Sequence, residues 1–351
     1  MGAPAAALRR RIVVADDSAF MRRILVDALV SQGFEVVAEA RNGDEAVREC
    51  RHHQPDALTL DLAMPGLDGV GVLRALTDTR DRTLPIVVVS ALSPTQSARA
   101  MDALAEGAFD FLVKPSGAAG MAPFVTELAT KVQMAADSRR GARWTTVAEA
   151  PVEVPRPAPR RPSATKRFVV IASSTGGPRA LGRLIPQLPS PLGSGGVIVQ
   201  HMPPGFTRSL ANRLDGASRL SVREAAEGDS VDSGTLLLAP GGSHLRLAPL
   251  NKTFLSDEPQ ANGLCPVADL TIADAARLHG PRVLLVVLTG MGRDGLEGAR
   301  AVKARGGVVL VESEESCTVY GMPRAVEEAG LADAVLPLDQ LPEAIAREAG
   351  V

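Results

Sequence analysis

Two series of short apolar runs, each alternating with amphipathic helical stretches, constrain this chain more than any other sequence feature. The runs of the first series are Ile12–Val14, Val36–Ala38, Ala57–Leu60, Ile86–Val89 and Phe109–Val113. Unbroken apolar runs of this length are typical of strands buried on both faces of a parallel sheet, with the helices between them as crossovers. The pattern predicts a doubly wound α/β domain with a five-stranded parallel sheet.

A proline-rich segment separates the two series. Between Pro151 and Pro162 proline alternates with Arg, Val, Glu and Ala, a composition typical of an extended, semi-rigid linker. We therefore place the first domain at residues 10–136, a Pro/Ala/Arg-rich linker at 137–166 and a second domain at 167–351.

The second series predicts another doubly wound α/β domain, with a mainly parallel sheet. Its runs are Phe168–Ala172, Val197–Gln200, Leu236–Ala239, Val283–Leu288 and Val308–Val311. The polar and apolar alternation from Leu245 to Phe254 predicts an antiparallel hairpin beside that sheet.

Charge and cysteine content exclude several classes of function. A net charge of −2 gives no electrostatic reason to expect nucleic-acid binding. The three cysteines, Cys50, Cys265 and Cys317, are far apart and lack metal-ligand spacing, so neither a disulfide framework nor a zinc site is indicated. No apolar run approaches the roughly 20 residues that a membrane helix needs. We expect a cytoplasmic protein without membrane insertion.

Polar residues follow the predicted strands of the first domain at the point where each strand ends. Asp16 and Asp17 follow the first strand, Asp61 the third, Ser90 the fourth and Lys114 the fifth. Ligand sites of doubly wound sheets form beyond the carboxyl ends of the strands, so these side chains should converge. Three neighbouring carboxylates repel one another and favour a hard divalent cation such as Mg²⁺. Lys114 and Ser90 would then be placed to bind a phosphoryl group.

These residues and their surroundings resemble the receiver domains of two-component response regulators, which have a flavodoxin-like fold. The resemblance rests on Asp16-Asp17-Ser18, Asp61-Leu62-Ala63-Met64-Pro65 with Asp68-Gly69, and Lys114-Pro115. It implies that Asp61 accepts phosphate from a histidine kinase. It also implies that Asp16, Asp17, Asp61 and the Ala63 carbonyl arrange Mg²⁺, and that Ser90 and Phe111 are switch residues. A simpler interpretation of Phe111, as an ordinary core aromatic, stays open.

The second domain carries a serine, a histidine and an aspartate at predicted strand ends. Its first strand runs into Ser173-Ser174-Thr175-Gly176-Gly177, its second ends before His201, and the strand Val283–Leu288 leads to Asp294. A serine hydroxyl attacks an acyl carbon only when a base takes its proton, and a carboxylate orients that base. The arrangement predicts a serine hydrolase in which backbone amides near Met291 hold the oxyanion.

Three motifs of this domain resemble those of the chemotaxis protein-glutamate methylesterases of the CheB family. They are Ser173-Ser174-Thr175-Gly176-Gly177, Gln200-His201-Met202-Pro203 and Thr289-Gly290-Met291-Gly292-Arg293-Asp294-Gly295. The resemblance implies Ser174 as nucleophile, His201 as base, Asp294 as orienting acid, Thr175 as a residue that positions the histidine, and the Met291 amide as oxyanion donor.

The first motif departs from the usual Gly-Ala-Ser of the family, since Ala172-Ser173-Ser174 stands here, and this leaves open which serine attacks. We choose Ser174 because Thr175-Gly176-Gly177 sets the register. His244 and Cys265 also resemble family segments near the site, and we interpret His244 as structural or substrate-proximal. Cys265 has no neighbouring histidine motif in sequence, so we do not expect it to be a nucleophile.

The combined resemblance predicts phosphorylation-regulated hydrolysis of glutamate γ-methyl esters on methyl-accepting chemotaxis receptors, with release of methanol. It implies a chemotaxis histidine kinase as phosphodonor, Mg²⁺ for the receiver only and no cofactor for the esterase. It further implies that the unphosphorylated receiver restrains the esterase. Receptor glutamine deamidation, a receptor-binding module without activity, and a serine hydrolase for another ester remain alternatives.

Overall fold

The structure is a computed structural model of the chain. It describes residues 9–77, 84–115, 117, 120–141, 166–259 and 263–351. The chain divides into two compact units, Met1–Pro151 and Val152–Val351, which we describe separately. Most of the predicted linker, residues 142–165, lies outside the described residues.

The first unit is an α/β domain built on one parallel sheet. Its strands are β1 (Arg11–Ala15), β2 (Glu35–Ala40), β3 (Ala57–Leu60), β4 (Ile86–Ser90) and β5 (Asp110–Val113). Its helices are α1 (Ala19–Ser31), α2 (Gly43–His53), α3 (Gly69–Thr77), α4 (Pro94–Ala105) and α5 (Met121–Gly141). The strand order is β2-β1-β3-β4-β5 and every pairing is parallel, so the predicted doubly wound receiver fold is confirmed.

Local sequence explains how the first strand and helix are joined. Residues 12–15 of β1 are completely buried because helices cover both faces of the sheet. Ser18 caps α1 by accepting a hydrogen bond from the Met21 amide, and Asp16 accepts one from the Ser18 amide. The turn after β1 is therefore fixed by its own polar side chains. At the other end of the domain, α5 continues to Gly141, across the boundary predicted at residue 136.

The second unit contains a larger parallel sheet covered by helices. Its strands are β6 (Phe168–Ser173), β7 (Gly196–Gln200), β8 (Ser221–Glu224), β9 (Thr235–Leu238), β10 (His244–Ala248), β11 (Lys252–Ser256), β12 (Val283–Val287), β13 (Val308–Glu312) and β14 (Ala334–Leu336). Its helices are α6 (Gly177–Leu184), α7 (Phe206–Ala217), α8 (Ala268–His279), α9 (Leu296–Lys303), α10 (Met322–Glu328) and α11 (Leu341–Ala349).

Seven of these strands form one sheet in the order β14-β13-β12-β6-β7-β9-β8, with parallel pairing throughout. Strands β10 and β11 form a separate antiparallel hairpin, as predicted from the alternation of Leu245–Phe254. The predicted α/β architecture of the second unit is confirmed. The edge strands β8 and β14 were not predicted.

No helix in the described ranges combines the length and the apolar character needed to cross a membrane.

Helices α8 and α9 pack closely because a glycine stands at their crossing. A Cβ atom added at Gly298 of α9 would lie 2.7 Å from Cβ of Ile272, a completely buried residue of α8. By contrast, a Cβ atom at Gly182 of α6 would have no atom within 4 Å. Gly298 is thus packed against a neighbouring helix, whereas Gly182 is not.

We expect Gly298→Ala to lower the free energy of unfolding by about 1–3 kcal/mol, because overpacking forces the two helices apart. Gly182→Ala should raise it by about 0.5–1 kcal/mol, since alanine is the better helix former in open space. Guanidinium denaturation of the full chain, followed by circular dichroism, measures both changes. Equal effects of the two substitutions would contradict the packing argument.

Candidate active sites

Three carboxylates and one ammonium group meet at the carboxyl edge of the first unit's sheet. One carboxylate oxygen each of Asp16, Asp17 and Asp61 lies within 4.8 Å of the others. Lys114 Nζ lies 2.8 Å from Asp16 Oδ2 and 2.6 Å from Asp61 Oδ2. The structure therefore brings together the acidic residues and the lysine that follow β1, β3 and β5.

Burial determines the electrostatics of this cluster. Asp16 is completely buried and burial raises its pKa, while the neighbouring Lys114 opposes the shift. For Lys114, burial acts to lower the pKa, but the adjacent carboxylates of Asp16 and Asp61 outweigh it and raise the pKa. The lysine is thus fixed as a cation beside two buried carboxylates.

The cluster fits a divalent cation. Asp16 Oδ2 is buried and has no hydrogen-bond donor in the described chain, so its contact with Lys114 is ionic. Three carboxylates carry more negative charge than one ammonium group neutralises, and Mg²⁺ prefers carboxylate oxygens. Ala63 stands beside the cluster, since its amide donates to Asp61 Oδ1 at 3.1 Å.

Ser90 and Phe111 lie on the neighbouring strands β4 and β5. Ser90 is completely buried, and its hydroxyl donates to Gln96 Oε1 at 3.3 Å. The Ser90 carbonyl accepts from the Lys114 amide at 2.8 Å, so the ends of the two strands are joined. Phe111 is 4% exposed, and its carbonyl accepts from Lys131 Nζ. In this state the aromatic ring is a core residue, which fits both interpretations of Phe111.

The second constellation lies at the carboxyl ends of three adjacent strands, β12, β6 and β7. Val287 of β12 pairs with Ala172 of β6, and Ser173 of β6 pairs with Gln200 of β7. Ser174 and His201 are the residues that follow these paired positions. The parallel register therefore holds the loops with Ser174, His201 and Asp294 at one edge of the sheet.

The two neighbouring serines have different environments. Ser173 is completely buried and its hydroxyl donates to Gln200 Oε1 at 2.7 Å. Gln200 Nε2 in turn donates to the carbonyls of Ser174 and His201, at 2.9 and 3.1 Å. Ser174 is partly exposed, and its hydroxyl has no hydrogen-bond partner among the described residues. Ser173 is thus engaged in structure, while Ser174 is free to meet a substrate.

His201 and Asp294 form a buried pair. His201 Nε2 lies 2.6 Å from Asp294 Oδ2, and the side chains are 8% and 7% exposed. A carboxylate accepts, so Nε2 carries the proton and Nδ1 is left with a lone pair. His201 Nδ1 is buried and has no partner in the part of the chain that the structure describes. It is therefore the ring nitrogen available to take a proton.

The N-terminus of α8 holds the Asp294 carboxylate. The Ala268 amide donates to Oδ2 at 2.6 Å and the Asp269 amide to Oδ1 at 2.9 Å. Burial acts to raise the pKa of Asp294, but His201 and these amides outweigh it and lower the pKa. The helix dipole acts in the same direction. Asp294 is thereby kept ionised beside His201.

A second carboxylate, Asp269, supports the same loop from the first turn of α8. Its Oδ1 accepts from the amides of Gly295 and Gly298 at 2.9 and 2.7 Å, where α9 begins. Burial, together with the adjacent Asp294, raises the pKa of Asp269 to about 6 against the opposing amides. The two carboxylates thus have opposite pKa shifts, and Asp294 is the one that faces the histidine.

The loop after β12 places a free amide near Ser174. The Thr289 carbonyl accepts from the Ser174 amide at 3.0 Å, and a Cβ atom at Gly290 would lie 2.8 Å from Ser174 Cβ. Only glycine allows this approach. Within the described ranges the Met291 amide donates to no acceptor, and the Met291 side chain is 47% exposed. The next amide after Gly290 is thus available to an oxyanion.

Buried polar groups fix Thr289 in turn. Its amide donates to Glu312 Oε2 at 2.8 Å, and its hydroxyl donates to the Thr175 carbonyl at 2.9 Å. Glu312 is completely buried, and burial raises its pKa although it accepts from Thr289 and Ser316. Thr175 is 6% exposed. Through Thr289 and Glu312, these hydrogen bonds connect the turn after β6, which carries Ser174 and Thr175, to the loop that follows β13.

His244 supports the segment that leads into α8. It is 1% exposed, and its Nδ1 accepts from the Val267 amide at 3.1 Å. Its Nε2 must then carry the proton, and it lies 3.9 Å from Cys265 Sγ. A protonated nitrogen cannot act as a base for Cys265, and burial raises the pKa of that thiol. The arrangement agrees with a structural role for His244 and gives Cys265 no activation.

Comparison with known proteins identifies the families that the two units resemble. A family model described as CheB methylesterase matches residues 169–345, and one described as response regulator receiver domain matches residues 12–124. A protein-glutamate methylesterase/protein-glutamine glutaminase of Symbiobacterium thermophilum is 42% identical over 354 residues, covering 97% of each chain. The chain belongs to the CheB methylesterase family. The family predicted from the sequence motifs is therefore confirmed.

Further members of the CheB family are similar along the same length. A relative of the same name from Thermotoga maritima is 41% identical and covers 95% of this chain and 96% of its own. The crystal structure of the Thermotoga maritima CheB methylesterase catalytic domain is 47% identical, with a TM-score of 0.50. It covers 52% of this chain and 98% of its own. The likeness includes both units of the chain, not the hydrolase unit alone.

Sequence reasoning gave no role to three residues of the candidate site. Gln200, Asp269 and Glu312 each bond to a residue that carries or holds a predicted functional group. A weak signal existed for Gln200 and Glu312, because each is a polar residue at the end of a completely buried strand. For Asp269 the signal was its place in the first turn of a helix, which does not reveal Asp294 as its neighbour.

We expect Asp269→Ala to lower kcat roughly ten- to hundredfold with little change in KM, because it releases the Asp294–Gly295 backbone on which His201 depends. Asp269→Asn should restore most of the rate, since an amide oxygen can still accept from Gly295 and Gly298. Steady-state kinetics of ester hydrolysis by both variants measures kcat and KM separately. A loss of equal size in both variants would mean that the charge of Asp269, and not its acceptor, matters.

Proposed function

We propose that this protein hydrolyses glutamate γ-methyl esters on methyl-accepting chemotaxis receptors and releases methanol. The observation that carries the proposal is the buried His201–Asp294 pair, which lies at the same strand edge as Ser174. Among the described residues, neither His201 Nδ1 nor the Ser174 hydroxyl has a hydrogen-bond partner. The names of the relatives, protein-glutamate methylesterase/protein-glutamine glutaminase, supply the substrate class.

The geometry supports an acyl-enzyme mechanism. Ser174 Oγ attacks the ester carbonyl while His201 Nδ1 takes its proton, and the Asp294 carboxylate stabilises the imidazolium. The Met291 amide donates to the oxyanion. The tetrahedral intermediate collapses, the imidazolium gives its proton to the leaving methoxide, and methanol departs. Water, deprotonated by His201, then attacks the acyl carbon and releases the glutamate carboxylate and Ser174.

Glutamine deamidation is a second candidate function, which the names of the relatives favour. The same acyl-enzyme would form from a side-chain amide, with ammonia in place of methanol as the leaving group. No separate residue is needed for this reaction, because the acyl group and its hydrolysis are identical.

We further propose that the first unit controls the esterase through phosphorylation of Asp61 by a chemotaxis histidine kinase. Asp16, Asp17, Asp61 and the Ala63 carbonyl would hold Mg²⁺, which, when bound, neutralises charge on the phosphoryl oxygens. Lys114 lies 2.6 Å from Asp61 and would pair with one phosphoryl oxygen, and Ser90 would donate to another. The match to the receiver family supports this assignment.

Two alternatives that the sequence leaves open compete with the proposal. A receptor-binding module without activity would not need the hydrogen bonds that hold Asp294 and leave Nδ1 of His201 free. A hydrolase for another ester would use the same three residues, so only its substrates would distinguish it. The cytoplasmic location and the absence of an esterase cofactor stay predictions.

We expect Ser174→Ala to lower methanol release from methyl-labelled receptor membranes by about 10⁴-fold or more, because the acyl-enzyme cannot form. Ser173→Ala is the matched control and should retain measurable esterase activity, since it removes only the hydrogen bond to Gln200. Phosphorylation of Asp61 should be unaffected in both. An active Ser174→Ala protein would exclude Ser174 as the nucleophile.

We expect a small phosphodonor with Mg²⁺ to raise the esterase rate of the wild-type chain but not of Asp61→Asn, which lacks the phosphate acceptor. Chelation should remove the phosphodonor response and leave the basal rate unchanged, because the esterase site has no need of the cation.

A fragment from about Lys166 to Val351 should have a higher esterase rate than the unphosphorylated full chain if the receiver restrains the esterase. Methanol-release rates on identical membranes measure all three, and a basal rate lost on chelation would indicate a metallohydrolase.

A further inference from the structure

A cleft of about 450 Å³ opens directly beside the loop that carries Met291 and Asp294. Gly292 and Arg293 of that loop form one wall, and Gly321 forms another. The Gly321 amide donates to the Gly290 carbonyl at 3.1 Å, so the cleft and the candidate oxyanion loop share a backbone. The cleft therefore lies next to the loop whose Met291 amide is the candidate oxyanion donor.

Three arginines line the cleft, together with one acidic residue, Glu328. Arg324 pairs with Glu328 at 2.7 Å, and Arg300 pairs with Glu297 at 3.3 Å. Arg293 is exposed and has no acidic partner in the described parts of the chain. The lining is thus net positive, and one guanidinium group is available for a new partner.

Apolar groups form the remainder of the lining. Leu296 is 3% exposed, and Ala325 and Ala329 pack against the core of the unit. A cleft with apolar walls and guanidinium groups fits a ligand that has a short hydrocarbon stem and a terminal carboxylate. A glutamate side chain has this chemistry.

We propose that this cleft binds the carboxylate of an unmodified glutamate that neighbours the esterified glutamate in the substrate. The inference rests on the proposed function, because it assigns a second contact to the same glutamyl-ester substrate. It adds a specificity subsite to the reaction: Arg293 pairs with the neighbouring carboxylate, and Arg300 and Arg324 contribute positive potential.

Two synthetic helical peptides test the proposal on the phosphodonor-treated full chain. Each carries one glutamyl γ-methyl ester, and the positions that share its helix face are glutamate in one peptide and glutamine in the other. The readout is the ratio of kcat/KM for the acidic peptide to that for the neutral peptide. General effects on folding or chemistry cancel in this ratio. We expect a wild-type ratio above one that decreases with added salt, because exposed ion pairs are screened.

Arg293→Glu should lower the ratio by roughly three- to tenfold, since it replaces an attraction by a repulsion. Arg305→Glu is the matched control, because Arg305 is exposed beyond the opposite end of α9 and lies outside the cleft lining. It should keep the wild-type ratio. A wild-type ratio of one, or equal effects of the two substitutions, would overturn the proposal.

A binding measurement separates failure of the subsite from failure of the proposed function. The unesterified acidic peptide, labelled for fluorescence anisotropy, is titrated with Ser174→Ala protein with and without Arg293→Glu. Weaker binding by the double variant supports the subsite even if neither ester is hydrolysed, whereas equal binding overturns it. Absence of hydrolysis of both peptides and of receptor membranes by the wild type would count against the proposed function itself.

Discussion

The carboxylate of Asp294 is buried away from water, and much of the second unit's local structure supplies the hydrogen bonds that it needs there. An unpaired buried charge would be costly. The amides at the start of α8 and the His201 ring provide the partners, and the helix dipole adds to them. His244 holds the segment just before α8, and Asp269 holds the start of α9. The orientation of one imidazole ring therefore depends on two helix ends and a buried second histidine.

Hydrophobic periodicity predicted the fold well because most strands are buried on both faces, and their sequences are therefore unbroken apolar runs. The exceptions are β8 and β14, the two edge strands of the second sheet. In β8 only Val222 is buried, and all of β14 is intermediate in exposure. An edge strand faces solvent on one side, so its sequence resembles a loop, and its place is fixed by pairing with a neighbour rather than by its own pattern.

The candidate residues could be predicted because the end of each strand is visible in the sequence and parallel strands share an edge. Contacts between distant segments could not be predicted in this way. Nothing in the sequence near Gln200 shows that it accepts from Ser173 and donates to Ser174, and nothing near Asp269 shows that Asp294 is its neighbour. The motif left open which serine is the nucleophile, and the hydrogen bond that engages Ser173 favours Ser174. Hydrogen-bond partners of this kind depend on how distant segments pack together, and the spacing of residues along the sequence does not reveal them.

Lys114 gives the first unit an internal counterion. Its ammonium group contacts both Asp16 and Asp61, two buried carboxylates that would otherwise repel each other. A cation entering this cluster has to compete with the ammonium group for the same Asp16 oxygen, so its affinity is a difference between two attractions rather than the full attraction of three carboxylates. The lysine therefore lowers the affinity of the cluster for a divalent cation. Without a cation, the same ammonium group balances the two buried carboxylates, so these acidic residues do not depend on the metal to keep their places.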